Sequence, residues 1–327
     1  MLYFVGYTPN EGGWAGSFNR AVRSGLEKLC IPFVELPPFD WSGPAAPMKE
    51  YLRVRSKPDD AWFIGWAQSP VIELIHSKPG RKYGLVVGLT EMHFDPMVFT
   101  GRADTLREKE RLGLYDGLFA NSHWCCETVS RAYPKLSGRT VTTGFPFDFT
   151  ALKPYRKLTK EKNLVVFNQR FSPERLHSLE IEAARLLIAM GYRVQHLLGV
   201  SPAQLSKGNP LLKSLIKKAQ HTGIEFVYNA GKTDYHQRLA RASLVITTSI
   251  ADMLPSSLIE AIYLGAVPVA PRAFCFPEFV HTDNLYTPYD LAEILSVVTT
   301  KPRREHQIQQ YAKDKVVSRF IEEMKLT

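Results

Sequence analysis

The sequence predicts an α/β protein of two doubly wound units, each a parallel sheet flanked by helices. Three observations carry this. Short runs of Val, Ile, Leu and Phe alternate with amphipathic stretches, the pattern of βαβ units. The alternation occurs in two series, separated by a polar, basic stretch at residues 153–162 that reads as a linker. The 327 residues, 45% hydrophobic and 22% charged, are ample for about two buried cores and too apolar for a disordered chain.

In the first series the expected strands lie at residues 1–6, 32–36, 60–64, 83–89, 117–120 and 139–142. Amphipathic stretches at 18–28 and 122–132 are the expected helices between them. In the second series the strands are expected at 164–167, 193–198, 225–227, 244–246 and 266–269. Helices are expected at 175–190, 210–222, 235–240 and 256–264. The domains then run 1–152 and 163–303, with one or two charged helices at 304–327 packing back on the first. Two such units facing one another form a cleft at the carboxyl ends of their strands, where open α/β sheets bind ligands.

No apolar run approaches the ~18–20 residues of a membrane span. Met1-Leu2-Tyr3-Phe4-Val5-Gly6 lacks a basic leader region and reads as a first core strand. Cys30, Cys125, Cys126 and Cys275 form no C-x-x-C pair, so reduced thiols, a cytoplasmic location and no structural metal are expected. Lys plus Arg is 41 against 32 Asp plus Glu, a net charge of +9. That balance points to polyanionic partners: nucleic acid, a membrane surface or phosphorylated ligands.

Three stretches carry chemistry. Gly12-Gly13-Trp14-Ala15-Gly16-Ser17 follows the first strand and opens a helix, where glycines let backbone approach an anion. It is neither a dinucleotide fingerprint nor a P-loop. Asn168-Gln169-Arg170 ends a strand and Arg175 begins a helix, so two cations flank one turn and can hold a diphosphate. Asp252-Met253-Leu254-Pro255-Ser256-Ser257-Leu258-Ile259-Glu260 places two carboxylates eight positions apart, one before a helix and one inside it. Ser256 and Ser257 present free N–H groups at that helix start. Glu260 sits among Leu258, Ile259, Ala261 and Ile262, where a carboxylate needs hydrogen-bond donors such as ribose hydroxyls.

The last stretch resembles the E-x7-E region of retaining glycosyltransferases of GT-B architecture, two Rossmann-like domains facing a central cleft. The chain as a whole resembles the subfamily that contains the tRNA-queuosine mannosyltransferases. Gly12-Gly13 is similar to that family's Gly-Gly loop, and Gly88-Leu89-Thr90-Glu91-Met92-His93 to its His-Glu segment. Gly117-Leu118-Phe119-Ala120-Asn121-Ser122 resembles its strand-to-helix turn, and Gly144-Phe145-Pro146-Phe147-Asp148 the loop closing its first domain. Asn168-Gln169-Arg170 with Arg175 resembles its phosphate clamp, while Asp234-Tyr235 and Thr247-Thr248-Ser249 fit its base and donor pocket. The chain departs from the pattern at four places: Asp252 replaces a glutamate, Pro255 a glycine, Arg175 a lysine and Thr90 a histidine, with His93 two residues beyond Glu91 as the substitute.

The resemblance implies transfer of a sugar from a UDP- or GDP-sugar with retention of configuration and without a bound metal. Arg170 and Arg175 would neutralise the leaving diphosphate, assisted by the N–H groups of Ser256 and Ser257. Glu260 would hold the ribose and Asp252 the sugar hydroxyls; Glu91 or His93 would face the acceptor. Gly12, Gly13, Asn168, Thr248, Ser249 and Pro255 would complete the donor pocket. A covalent route through two carboxylates is the less favoured mechanism.

For the acceptor, the charge and the resemblance lead to a hydroxyl on a modified base, 5-hydroxymethylpyrimidine in DNA first and queuosine in tRNA second. Lys49, Arg53, Arg55, Lys57, Lys78, Arg81, Lys82 and the 153–162 stretch are the basic clusters; Trp14, Trp41, Tyr51 and Trp124 are candidates to stack on bases. A lipid or polysaccharide acceptor is the alternative, without membrane insertion, and a catalytically idle nucleic-acid-binding module is a third class.

Overall fold

The computed structural model describes residues 1–7, 13–38, 46–89, 105–171, 173–199, 210–228, 230–300 and 302–326. The described residues form two compact units: residues 1–148 with 309–326, and residues 149–308.

The first unit is built on a six-stranded sheet in the order β2-β1-β3-β4-β5-β6. Its strands are β1 (Leu2–Val5), β2 (Phe33–Leu36), β3 (Ala61–Ile64), β4 (Arg81–Val86), β5 (Gly117–Ala120) and β6 (Thr140–Thr142), all paired in parallel. β3 reads Ala-Trp-Phe-Ile and is buried at every position, as a central parallel strand covered on both faces must be. Ser122 caps the helix after β5: its hydroxyl accepts from the Cys125 N–H at 3.0 Å. The helix Lys313–Met324 belongs to this unit, inserting Phe320 between Phe63 and Phe119, with ring centroids 4.8 and 5.1 Å away. It approaches the helix Gly13–Lys28 so closely that a Cβ on Gly25 would lie 2.7 Å from Val317 Cγ2.

The second unit repeats the design in the order β12-β11-β10-β7-β8-β9. Its strands are β7 (Glu161–Phe167), β8 (Arg193–Leu198), β9 (Glu225–Tyr228), β10 (Ala242–Ile246), β11 (Val267–Pro271) and β12 (Leu285–Tyr286). Again all pairings are parallel. The core joins Val165 and Phe167 of β7, Val194 of β8, Ile246 of β10 and Val269 of β11 to Ile181, Ala184 and Leu187 of the helix His177–Ala189.

Several elements differ from the sequence expectation. The basic stretch 153–162 is not wholly linker: β7 already begins at Glu161, anchored by Arg193, which pairs with Glu161 at 2.9 Å and Glu225 at 2.8 Å. Residues 302–308 form no helix, because their backbone bonds go elsewhere: the Arg303 N–H donates to Asn284 Oδ1 and the Gln307 N–H to the Phe279 carbonyl. The helices Ala46–Arg53, Val71–Ile75 and Leu291–Thr299 and the two-residue strand β12 were not expected. The last of these helices is capped by Asp290, which accepts from the Glu293 N–H at 2.9 Å. Among the described residues no helix is long and apolar enough to cross a membrane.

Candidate functional site

The second sheet places β7 and β10 side by side, so the loops leaving their carboxyl ends run alongside each other, the usual location for a ligand in such a sheet. From β7 the chain runs through Asn168, Gln169 and Arg170 to a 3-10 turn at Pro173–Arg175. Leu176, in left-handed backbone conformation at φ 47°, then turns the chain into the helix His177–Ala189. From β10 it runs through Thr247, Thr248 and Ser249 to Asp252, and Pro255 opens the helix Ser256–Tyr263.

Side chains tie the two loops together. Arg175 Nη1 donates to Ser249 Oγ at 2.6 Å and pairs with Asp252. Arg170 reaches Glu174 through Nε at 2.8 Å and Nη2 at 2.6 Å, and Arg175 Nε lies 3.5 Å from the same carboxylate. The Glu174 side chain is 0% exposed, that of Arg175 13%, and that of Arg170 53%. Burial works against the Arg175 charge, but Asp252 and then Glu174 outweigh it and hold the guanidinium above its usual range. Burial, with Asp252 beside it, pushes the Cys275 thiol well up, so it stays protonated. Two arginines thus converge with two carboxylates; Arg175 is held from three sides and Arg170 turns half its surface to solvent.

Asn168 connects β7 to the next helix: its Nδ2 donates to the Ser257 carbonyl at 2.7 Å. One turn further, Glu260 is partly exposed and has the buried His236 Nε2 3.8 Å away. Asp252 is 7% exposed. The sequence did not anticipate that its carboxylate is the counter-ion of Arg175. Thr248 and Ser249 are fully buried. The Thr248 hydroxyl donates to the Arg175 carbonyl and takes the Gln169 amide at 3.1 Å, so this side chain ties together the loops that carry Arg170 and Arg175.

Gly13 begins the helix Gly13–Lys28 of the first unit; Gly12, Trp41, Glu91 and His93 lie outside the described residues. Tyr51 is not available to stack on a base: it is completely buried and its hydroxyl donates to the Pro37 carbonyl. Lys78 and Lys82 also leave the basic cluster. Lys78 donates to the Val54 carbonyl at 2.9 Å, and the buried Lys82 donates to the Gly80 carbonyl at 2.6 Å, so both ammonium groups bind backbone. Lys49, Arg53, Arg55 and Lys57 remain exposed.

Sequence reasoning passed over Glu174, Glu180, His177 and His196, and gave Gln169 no role of its own. The available signal was a carboxylate three residues after a histidine on the apolar face of the helix His177–Ala189, where both are buried.

A family model described as glycosyl transferases group 1 matches residues 148–315, which span the whole second unit and just over half of the chain. Solved structures resemble the chain over nearly its full length. The ligand-free structure of OtsA matches with a TM-score of 0.70 at 11% identity, covering 99% of each chain. The sucrose-phosphate synthase of Thermosynechococcus elongatus matches with a TM-score of 0.70 at 13% identity, covering 99% of this chain and 96% of that one. HepE of Anabaena, in complex with UDP and glucose, matches with a TM-score of 0.66 at 14% identity, covering 98% of each. At these identities the likeness is one of fold, the two-unit α/β architecture called GT-B. With the family model spanning the unit that carries the arginine–carboxylate cluster, the chain belongs to the glycosyl transferases of group 1 and is a nucleotide-sugar-dependent glycosyltransferase.

Proposed function

We propose that the second unit binds a nucleoside-diphosphate sugar at the carboxyl ends of β7 and β10 and that the enzyme transfers the sugar with retention of configuration. The observation that supports this is the convergence of Arg170, Arg175 and Asp252 beside the start of the helix Ser256–Tyr263. Charge builds on the diphosphate as the glycosidic bond breaks. Arg170, half exposed, and Arg175, held rigidly, oppose that charge without having to reorganise, the usual source of most of the catalytic stabilisation. The Ser256 and Ser257 N–H groups add the positive end of the helix. Glu260 accepts from the ribose hydroxyls, and the Asp252 carboxylate takes a sugar hydroxyl while remaining on Arg175. Glu91 or His93 serves the acceptor hydroxyl. This set of cations and a helix start does the work a divalent metal does in other glycosyltransferases.

For the acceptor we propose a hydroxyl on a modified base, with 5-hydroxymethylpyrimidine in DNA first and queuosine in tRNA second, in line with the resemblance to the queuosine mannosyltransferase subfamily. The net charge of +9 and the exposed Lys49, Arg53, Arg55 and Lys57 support a polyanionic partner. The test is incubation with a panel of nucleotide sugars and either hydroxymethylated DNA or queuosine-containing tRNA, followed by digestion to nucleosides and mass analysis. A hexose-sized gain on the DNA nucleoside is expected. A gain confined to tRNA selects the second acceptor. Donor hydrolysis with no gain on either rejects the nucleic-acid reading and returns lipid and polysaccharide acceptors to the front.

A further inference from the structure

Behind Arg175 the second unit buries a charged cluster that donor binding does not use. Glu180, in the first turn of the helix His177–Ala189, is 1% exposed. Its carboxylate accepts from His177 Nδ1 at 2.7 Å and from Gln169 Nε2 at 3.0 Å, and it pairs with Nδ1 of His196 on β8. His196 is completely buried, and its Nε2 lies 2.8 Å from the Gln169 carbonyl. A carbonyl oxygen only accepts, so Nε2 carries a proton; Nδ1 stands in ion-pair contact with the Glu180 carboxylate, outside hydrogen-bond alignment, and that negative charge favours a proton there as well. His196 is therefore an imidazolium and Glu180 its buried counter-ion. Burial opposes both charges, yet Glu180 holds His196 above its usual range, and His196 with His177 holds Glu180 well below the usual carboxylate range. For His177 burial wins: its pKa is lowered, so it sits neutral, donating to Glu180 and stacked on Phe171 at 3.7 Å.

The three side chains are arranged for protons, not for a metal. The His177–Glu180 separation of 2.7 Å is a hydrogen-bond distance. Two ligands of a tetrahedral zinc, each about 2.1 Å from the ion, stand about 3.4 Å apart. His196 Nε2 is also already engaged by the Gln169 carbonyl.

The bonds of this cluster lead directly to the arginine pair. Gln169 precedes Arg170 in the chain. Its Oε1 accepts from Thr247 Oγ1 at 2.9 Å, and its Nε2 lies 3.1 Å from Thr248 Oγ1, which in turn donates to the Arg175 carbonyl.

We propose that Glu180, His196 and Gln169 are positioning residues that brace Arg170 and Arg175, and that loss of the His196 Nδ1 proton loosens their hold on the donor diphosphate. The proposal rests on the donor reading above. Deprotonation turns an N–H donor into a lone pair facing a buried carboxylate, and the two groups must separate. His196 is tied to the Gln169 carbonyl, so the movement reaches the residue next to Arg170. Among the described residues the titratable group facing the pair is His177 from the same helix as Glu180, which in turn feels the charge of Arg175 from the 3-10 turn. Gln169 adds neutral polar contact, and the rings of Phe167, Phe171 and Phe226 pack around His196.

The discriminating variant is Glu180→Gln. Its amide donates to a neutral His196 Nδ1 while its oxygen still accepts from His177 and Gln169, so bonds and volume remain and the charge pair is gone. In the wild type, donor KM should rise roughly tenfold as pH climbs through the His196 ionisation. In the variant the profile should be flat; a profile that superimposes on the wild type overturns the proposal. If Glu180→Gln fails to fold, His196→Gln makes the same test, since it too donates to Glu180 without titrating. Nitrogen NMR supplies a readout that needs no donor. His196 should show two protonated ring nitrogens in the wild type, and the Arg175 Nε–H resonance should follow its titration there but not in the variant. Absence of nucleotide-sugar binding at every pH refutes the donor reading. An Arg175 resonance indifferent to His196 refutes the brace.

Discussion

Replacing Arg170 by alanine separates what this residue does for the fold from what it does for chemistry. Glu174 has a side chain 0% exposed and receives two short bonds from Arg170, while Arg175 Nε is more distant at 3.5 Å. Removing one partner of a buried pair costs about 3–5 kcal/mol. The neighbouring Arg175 reduces this, so a loss of about 2–3 kcal/mol is expected, or roughly 5–10 °C in the melting temperature of a unit of this size. The chemical cost is separate. One cation fewer on the departing diphosphate should lower kcat by about 100- to 1000-fold, the range for losing one aimed electrostatic group. The double variant Arg170→Ala/Glu174→Gln removes the stranded carboxylate and should recover most of the melting temperature but none of the turnover. The assay is steady-state donor turnover with calorimetric melting on the wild type, both single variants and the double. A folded Arg170→Ala enzyme turning over within about threefold of wild type would refute the clamp assignment. A double variant that regains turnover would show that Arg170 acts only by neutralising Glu174.

Three further outcomes follow from particular contacts. Ser249→Ala removes one acceptor from Arg175 Nη1 but leaves Asp252, so donor affinity measured by titration calorimetry should fall about fivefold while the melting temperature barely moves. Lys160 is partly buried, donates to the Leu264 carbonyl at 3.0 Å and, through burial and then Arg304, has its pKa lowered to about 8. Between about 8 and the ordinary lysine value the unfolded chain binds the extra proton, so stability should rise with pH there, by at most about 1.4 kcal/mol per pH unit. Urea titrations of the wild type and Lys160→Met should show that rise only in the wild type. Gly25→Leu drives a side chain into Val317, whose Cγ2 lies 2.7 Å from the position of a Cβ, and should destabilise the first unit by about 1–3 kcal/mol in denaturant unfolding.

Much of the second unit was legible because its signals are local. The runs of Val and Phe in β7, the Pro-Ser-Ser helix opening and the arginines flanking one turn can each be read within a dozen residues. Glu174 was not legible: Pro173-Glu174-Arg175 reads as an exposed turn, and only the packed loop removes that carboxylate from water. Lys82 misled in the same way, since nothing in Arg81-Lys82-Tyr83 announces that its ammonium group sits among backbone carbonyls.

By itself the sequence determined the alternation of strands and helices and the two-unit organisation. It also marked Arg170, Arg175, Asp252 and Glu260 as the residues to examine. Those follow from hydrophobic periodicity and from residue types at short spacing, which act locally. Only the tertiary structure decided the partners: Asp252 on Arg175, Glu174 beneath both arginines, and His196 against Glu180 sixteen positions away. The physical reason is that a charge becomes costly or useful only when its surroundings are dry. Dryness is made by β7, β8, β10 and the helix His177–Ala189 packing together, a property no single stretch of the chain possesses.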